Sequence, residues 1–196
     1  CRVFRITFSG ERAYEVHVPA GFTEAVWRTV LRAGERHGIV PYGTEAMAVL
    51  RIEKGHVVAS EVDGRTTPDD LGFAPLMRAG GGYIGHAAQR LPGVSRDDRP
   101  QLVGLVALDP RSPIPRGGQI VPKRFVGQAL SQTERHVVLT EGHTTSRTFS
   151  PALGTHVALA MLKRGRERLG EQLVVVAPMS RQSVEVHVVA PVFVDP

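Results

Sequence analysis

The sequence predicts an α+β fold in two parts: mixed sheet and helix over residues 1–97, then a small antiparallel β-barrel over residues 98–196. Three observations carry that prediction. Strand-like and helix-like periods alternate in the first half. From Gln101 onward, short β-like runs are split by turns, with no long amphipathic helix among them. Between the two lies "LPGVSRDDRP", Leu91–Pro100, a polar stretch that reads as a linker.

Taken in order, "RVFRITF" and "AYEVHV" alternate with period two and pair around the turn "SGER". Tyr14, Val16 and Val18 share one strand face and are expected to meet helices, while Glu15 and His17 share the other. "TEAVWRTVLRAGERHG" predicts a helix with Thr23 as N-cap, Gly38 at its stop, and Val26, Trp27, Val30 and Leu31 as its buried stripe. A second helix is expected over 44–54, with Thr44 as N-cap, Glu45 and Lys54 suited to the two dipole ends, and Gly55 as the stop. Ala46, Met47, Ala48, Val49, Leu50 and Ile52 run almost all the way round it, so it reads as largely buried. Its Arg51 and Glu53 therefore need partners from elsewhere in the fold. A loop-rich region, "ASEVDGRTTPDDLGFAPLMRAGGG", leads to a short helix, "YIGHAAQR". The barrel runs are "QLVGLVAL", "QIV", "HVVL", "THVALAML", "EQLVVVAP" and "SVEVHVVAPVFV".

With 42% apolar and 22% charged residues, the composition is that of an ordinary globular chain. No apolar run reaches membrane-spanning length, so a membrane is not an expected partner. The opening "CRVFRITF" has no initiator Met, no secretory leader and the look of a strand, which points to a segment of a longer polypeptide. A lone Cys1 rules out an internal disulfide and a cysteine zinc site, and suits a reducing, cytoplasmic setting. The net charge of +5 sits in the second half: residues 99–196 carry 12 basic and 7 acidic side chains, against 12 of each in 1–98. This half lacks the interleaved aromatics of a base-stacking surface, so nucleic acid is not an expected partner. Its densest run, "KRGRERLG", reads as a solvated turn or a contact to an acidic partner.

Three motifs are set aside. "GGGYIG" fits G-x-G-x-x-G in form, but a Pro-containing segment precedes it and no acidic residue follows at the spacing a dinucleotide requires; a loop entering a helix accounts for it. The eight histidines form no H-x-H pair and no helical i, i+4 pair, so no metal site is assigned. His143, Ser146 and Ser150 lack a nucleophile-elbow pattern and read as barrel-surface residues. Glu15 is more informative, because a carboxylate on the second face of a strand, set under a pocket, can accept two parallel hydrogen bonds from an amidine-like edge, and pterins present that edge.

Together, "FSGERAYEVHVP", "PYGTEAMAVLRIEKG", "DGRTTPDDLGF", "YIGH", "QLVGL" and "TSRTFSPALGTHVALAMLK", in this order, resemble the folate-binding portion of the glycine-cleavage aminomethyltransferase (T-protein) superfamily. More closely, they resemble the C-terminal region of heterotetrameric sarcosine oxidase α subunits. The resemblance spans essentially the whole chain and implies a folate-binding domain followed by a barrel. It also implies capture of a one-carbon unit by tetrahydrofolate, as 5,10-methylenetetrahydrofolate, after flavin-dependent oxidative demethylation of sarcosine. FAD, FMN and NAD are then expected in other segments or subunits, and the β, γ and δ subunits of the oxidase are the expected partners. Two other readings stand beside it: a folate-dependent aminomethyltransferase or dimethylglycine-oxidising enzyme, and a non-catalytic folate-binding module.

Carried over residue by residue, the resemblance places the family's pterin-holding glutamate on Glu15 and the leading tyrosine of its motif on Phe8. Phe8 keeps the ring without the hydroxyl; strand alternation also groups it with Phe4 and Ile6 as a core residue, and both readings stay open. Aminomethyltransferases proper carry an Arg where this chain has Met47, and use it on the glutamate tail of folate. A thioether cannot bind a carboxylate in that way, so the helix resembles the oxidase branch. The family's catalytic Asp lies upstream of the tyrosine-led motif. No residue of this chain is given a catalytic role.

Overall fold

The computed structural model describes residues 1–131 and 140–195. The chain begins with a two-stranded antiparallel ribbon, β1 (Arg2–Phe4) and β2 (Glu15–His17), in which Arg2 lies opposite His17, Val3 opposite Val16 and Phe4 opposite Glu15. Helix α1 (Thr23–Gly34) follows and tightens into a 3-10 turn, Glu35–His37, that ends at Gly38 with φ 69°. That left-handed conformation carries no Cβ penalty in glycine. Helix α2 (Thr44–Glu53) comes next. Each helix starts one residue earlier than its sequence implies: Thr23 and Thr44 are the first helical residues, Phe22 and Gly43 occupy the caps, and no side chain caps either start. Residues 56–99 are mostly turns and include two 3-10 segments, Ala74–Leu76 and Ala87–Arg90. The second of these is all that forms of the short helix expected over 83–90.

The barrel is built from β3 (Pro100–Ala107), β4 (Gln119–Val121), β5 (Gly142–Ser150), β6 (Thr155–Lys163), β7 (Gln172–Ala177) and β8 (Gln182–Val189), with the short helix α3 (Val126–Leu130) between β4 and β5. The strands close in the order β3-β6-β5-β4-β7-β8, every pairing being antiparallel, and closure leaves the barrel without a free edge. Strand β5 is the one the sequence reading passed over, because Thr144, Thr145 and Ser146 break the apolar alternation. The expected run "HVVL", residues 136–139, lies outside the described residues. The last apolar run is not a continuation of β8. The backbone amides of Phe193 and Val194 instead donate to the Glu53 carbonyl at 2.8 and 3.0 Å, tying the chain end to α2.

Inside the barrel, Val103, Leu105, Ile114, Ile120, Ala158, Ala160, Leu162, Leu173, Val175 and Val186 are fully or almost fully buried in one cluster. A second apolar layer forms on its outer wall, where Ile52 of α2 packs with Leu102, Val157, Leu159 and Met161, joined by Val57, Leu71 and Phe193. Each such aliphatic side chain contributes about 1.5–3 kcal/mol when fully buried, so this strip fixes α2 against the barrel. Gly55 lies at a close approach to the chain end: a Cβ there would meet the Pro191 carbonyl oxygen at 2.4 Å, and its φ of 75° also favours glycine.

Three expectations about burial need correction. Helix α2 is buried at its C-terminal end, at Arg51, Ile52 and Glu53, while Ala46 and Ala48 are exposed. Helix α1 has no buried residue; Trp27 is 54% and Val30 46% exposed, and Val26 and Leu31 are half-buried. Tyr14 and Val16 likewise stay exposed and are not covered by the helices. The apolar stripe of α1 and the ribbon face are both present as the sequence implies, but nothing among the described residues is packed over them. No helix is long and apolar enough to cross a membrane among the described residues.

Candidate functional site

Because partner residues in an antiparallel ladder share a face, the β1–β2 register puts Arg2, Phe4, Glu15 and His17 on one side of the ribbon and Val3 and Val16 on the other. The sequence pairing of Glu15 with His17 is therefore real. The His17 ring nitrogen Nε2 lies 3.2 Å from Glu15 Oε2, and the His17 ring meets the Phe4 ring edge-on, with centroids 5.2 Å apart. Both partners are more than half exposed. Among the described residues, His17 is the one hydrogen-bond partner of the Glu15 carboxylate, which leaves most of its acceptor capacity open on that face.

Phe8 lies beyond the regular part of β1, further along the chain than Phe4. Its carbonyl oxygen is 2.9 Å from His56 Nδ1, and its ring sits tilted against the His56 imidazole at 5.8 Å. His56 belongs to the segment leaving α2, so Phe8 joins the ribbon to that helix. The ring placed opposite Glu15 in the register is that of Phe4. Met47 is half-buried, one turn before Arg51 on α2.

Under the C-terminal end of α2 is a closed polar joint. The Arg51 guanidinium donates to Ser146 Oγ at 2.7 Å, to Glu61 Oε2 at 3.3 Å and to the His56 carbonyl at 3.2 Å. Glu61, almost wholly buried, also accepts from Ser146 Oγ at 2.5 Å, Ser60 Oγ at 3.0 Å and the Val58 amide at 2.8 Å. Burial alone would raise its pKa, but the hydrogen bonds from Ser146, Val58, Thr145 and Ser60 outweigh it and hold the carboxyl below its ordinary value. Ser150 Oγ donates to Glu53 Oε1 at 2.5 Å. Arg51 and Glu53 thus find the partners they require, and Ser146 and Ser150, expected at the barrel surface, are buried under α2. Their hydroxyls serve the joint. Glu61 was missed in sequence because no motif marks it, although the unmet charge of Arg51 called for a carboxylate somewhere.

A second joint holds the turn region to the barrel. Arg99 pairs with the buried Asp70 and also donates to the carbonyls of Gly93 at 3.0 Å and Arg65 at 2.6 Å. Burial of Asp70 by itself raises its pKa, and the hydrogen bonds from Arg99 and Thr67 reverse that and lower it. Around this pair is a cleft of about 460 Å³, lined among others by Arg65, Arg96, Asp98, His143 and Lys163. It contains neither Glu15 nor Phe8, and its arginines are already matched to Asp63, Asp98 and Asp70. "KRGRERLG" meets acidic partners within the chain: Arg166 pairs with Asp69, and Arg168 with Glu141 and Glu171.

An exposed carboxylate on a short ribbon, a helix pinned by a buried ion pair and a closed six-stranded barrel define a two-part α+β chain of the T-protein type. Comparison with known proteins agrees. The GCVT N-terminal domain matches residues 1–79, and the glycine cleavage T-protein C-terminal barrel domain matches residues 101–195. The chain belongs to the glycine cleavage T-protein family. It is 43% identical over 195 residues to the sarcosine oxidase subunit alpha of Rhizobium meliloti, covering 99% of this chain and 19% of that one. With the sarcosine oxidase subunit alpha of Corynebacterium sp. strain P-1 the identity is 38% over 196 residues, covering 100% and 19%. An aminomethyltransferase of Moorella thermoacetica is 29% identical over 182 residues, covering 88% of this chain and 43% of its own. The chain therefore spans about one fifth of the length of these sarcosine oxidase subunits. In structure it is similar to the glycine cleavage system aminomethyltransferase T of Bartonella henselae, with a TM-score of 0.75 at 20% identity, over 98% of this chain and 49% of that one, a likeness of fold.

Proposed function

We propose that this chain is the tetrahydrofolate-binding part of a sarcosine oxidase α subunit, and that Glu15 holds the pterin. The observation that carries the reading is the Glu15 carboxylate itself, exposed on the ribbon face with a single partner at one oxygen. A carboxylate in that state fits the paired N–H donors of a pterin edge, as the buried carboxylates of Glu53 and Glu61 do not. Similarity over the whole chain to sarcosine oxidase α subunits supports the choice of branch. Bound there, tetrahydrofolate supplies the nitrogens that accept a one-carbon unit. The work of this chain is to bind and orient it: Glu15 by hydrogen bonds, and Phe8 by its ring. Met47 does not fit the glutamate tail, since a thioether offers no charge to a carboxylate.

The flavins, the amine-oxidising step and the other subunits belong to the rest of the assembly in this reading. Glu15→Ala in the full-length protein is expected to weaken tetrahydrofolate binding by about 1.5–3 kcal/mol, the scale of a charged hydrogen bond, in a calorimetric titration. Unchanged affinity removes the assignment. Polyglutamylated and tail-free folates are expected to bind alike, and a preference of more than about tenfold for the glutamylated form (about 1.4 kcal/mol) favours the aminomethyltransferase reading instead. Visible flavin absorption and stoichiometric companion chains in the natively purified protein test the oxidase branch.

A further inference from the structure

We propose that His17 is a positioning residue for Glu15: it holds one carboxylate oxygen so that the remaining lone pairs face a pterin edge, and Phe4 is the seat that keeps the imidazole in place. The proposal rests on the reading of Glu15 as the pterin-holding group. Its basis is the ribbon geometry. Glu15 and His17 are two residues apart on β2 and so point to the same side. The 3.2 Å contact joins Nε2 to Oε2 alone, leaving Oε1 without a protein partner among the described residues. A carboxylate accepts and cannot donate, so the contact requires Nε2 to carry the proton, which fixes the ring's donor. The ring's own orientation is set from across the ribbon: Phe4 packs edge-to-face with it at an interplanar angle of 87°.

A carboxylate has about four acceptor positions, and His17 occupies one. A pterin amidine edge needs two parallel ones, which a carboxylate free to rotate about its χ angles would present only part of the time. Pinning Oε2 removes that freedom before the ligand arrives, so less ordering entropy is lost on binding. His17 touches no ligand atom in this scheme and acts through Glu15.

The experiment is a calorimetric titration of the full-length protein with 5-formyltetrahydrofolate, a chemically stable reduced folate, on four variants: His17→Leu, His17→Gln, Glu15→Gln and Glu15→Gln with His17→Leu. His17→Leu is expected to raise Kd about fivefold, equivalent to about 1 kcal/mol, that of one ordinary net hydrogen bond. His17→Gln keeps an N–H donor near the same reach and is expected to stay within about twofold of the parent protein. In the Glu15→Gln background, His17→Leu is expected to add nothing, because the group it positions is gone. An equal loss from His17→Leu in both backgrounds marks a structural role and overturns the proposal. A loss with Glu15→Gln but none with His17→Leu overturns the positioning role and leaves the pterin assignment standing. Unchanged affinity in Glu15→Gln overturns both.

Discussion

Glu61→Ala is the perturbation that most directly tests how the two halves are held together. Glu61 is buried with Arg51, and Ser60 and Ser146 flank the pair. Removing one partner of a buried ion pair costs about 3–5 kcal/mol, because the other charge is left uncompensated. Arg51 retains Ser146 Oγ and the His56 carbonyl after the change, while the Val58 amide loses its acceptor, so the lower end applies: about 3 kcal/mol. For a chain of this size each kcal/mol shifts Tm by about 2–4 °C, giving a fall of about 6–12 °C. Urea unfolding followed by circular dichroism reads the same quantity as a lower midpoint at unchanged slope. The apolar replacement Arg51→Met with Glu61→Leu is expected to regain at least half of the loss, since no charge is then stranded. A loss below about 1 kcal/mol for Glu61→Ala, or a double variant no better than the single, refutes the account. The pH dependence has a definite sign. The folded-state pKa of Glu61 lies below its ordinary value of 4.5, so its contribution is fully present above that value and is lost as pH falls through the lower, folded one.

Asp70 behaves in the same sense, with stability present above its ordinary value of 3.8 and lost below it, so Asp70→Asn is expected to flatten the fall of the urea midpoint under acid conditions; equal acid slopes in the two proteins argue against this. Gly142→Ala places a Cβ 2.2 Å from the Met161 carbonyl oxygen and 2.9 Å from Leu162 Cα, both backbone atoms of the paired strand that cannot swing away. A cost of about 2 kcal/mol is expected, and an unchanged Tm refutes it. Trp27 is the one tryptophan of the chain and is more than half exposed, so its fluorescence is expected to be red-shifted and readily quenched by iodide in this chain; a blue-shifted, protected signal shows that something covers α1.

The barrel was legible where its strands are continuously apolar. Leu102–Ala107, Val157–Leu162 and Leu173–Val176 announce buried strands by composition alone. Strand β5 was not, because its outward hydroxyls are buried by polar partners that come from α2 and the turn after it. Periodicity registers apolar burial and is blind to a buried polar face whose partners are 85 to 97 residues away. The same limit hid Glu61 while leaving Arg51 and Glu53 visible as charges in need of company. At the site, alternation placed Glu15 and His17 on one face correctly but could not show that Phe4 lies opposite, since register depends on the geometry of the turn between the strands. The stripe of α1 was read from sound periodicity, and its exposure reflects what packs on it, which a helix's own sequence does not specify.

A closed barrel has nowhere to grow: every one of its strands is hydrogen-bonded on both sides. The ribbon of β1 and β2 is its opposite, a pair of three-residue strands whose outer edges both stay open among the described residues. Two strands alone are marginal in water, so this pair gains most from a third. A strand laid along the outer edge of β2 would run directly past Glu15 and His17 and furnish the adjoining wall of their face. A polypeptide that added such a strand would do two things in one step: firm up the ribbon and give the Glu15 carboxylate its surroundings. If Glu15 holds the pterin as proposed, strand addition at this edge and ligand recognition would meet at one boundary, and a change on either side of it would be felt by both.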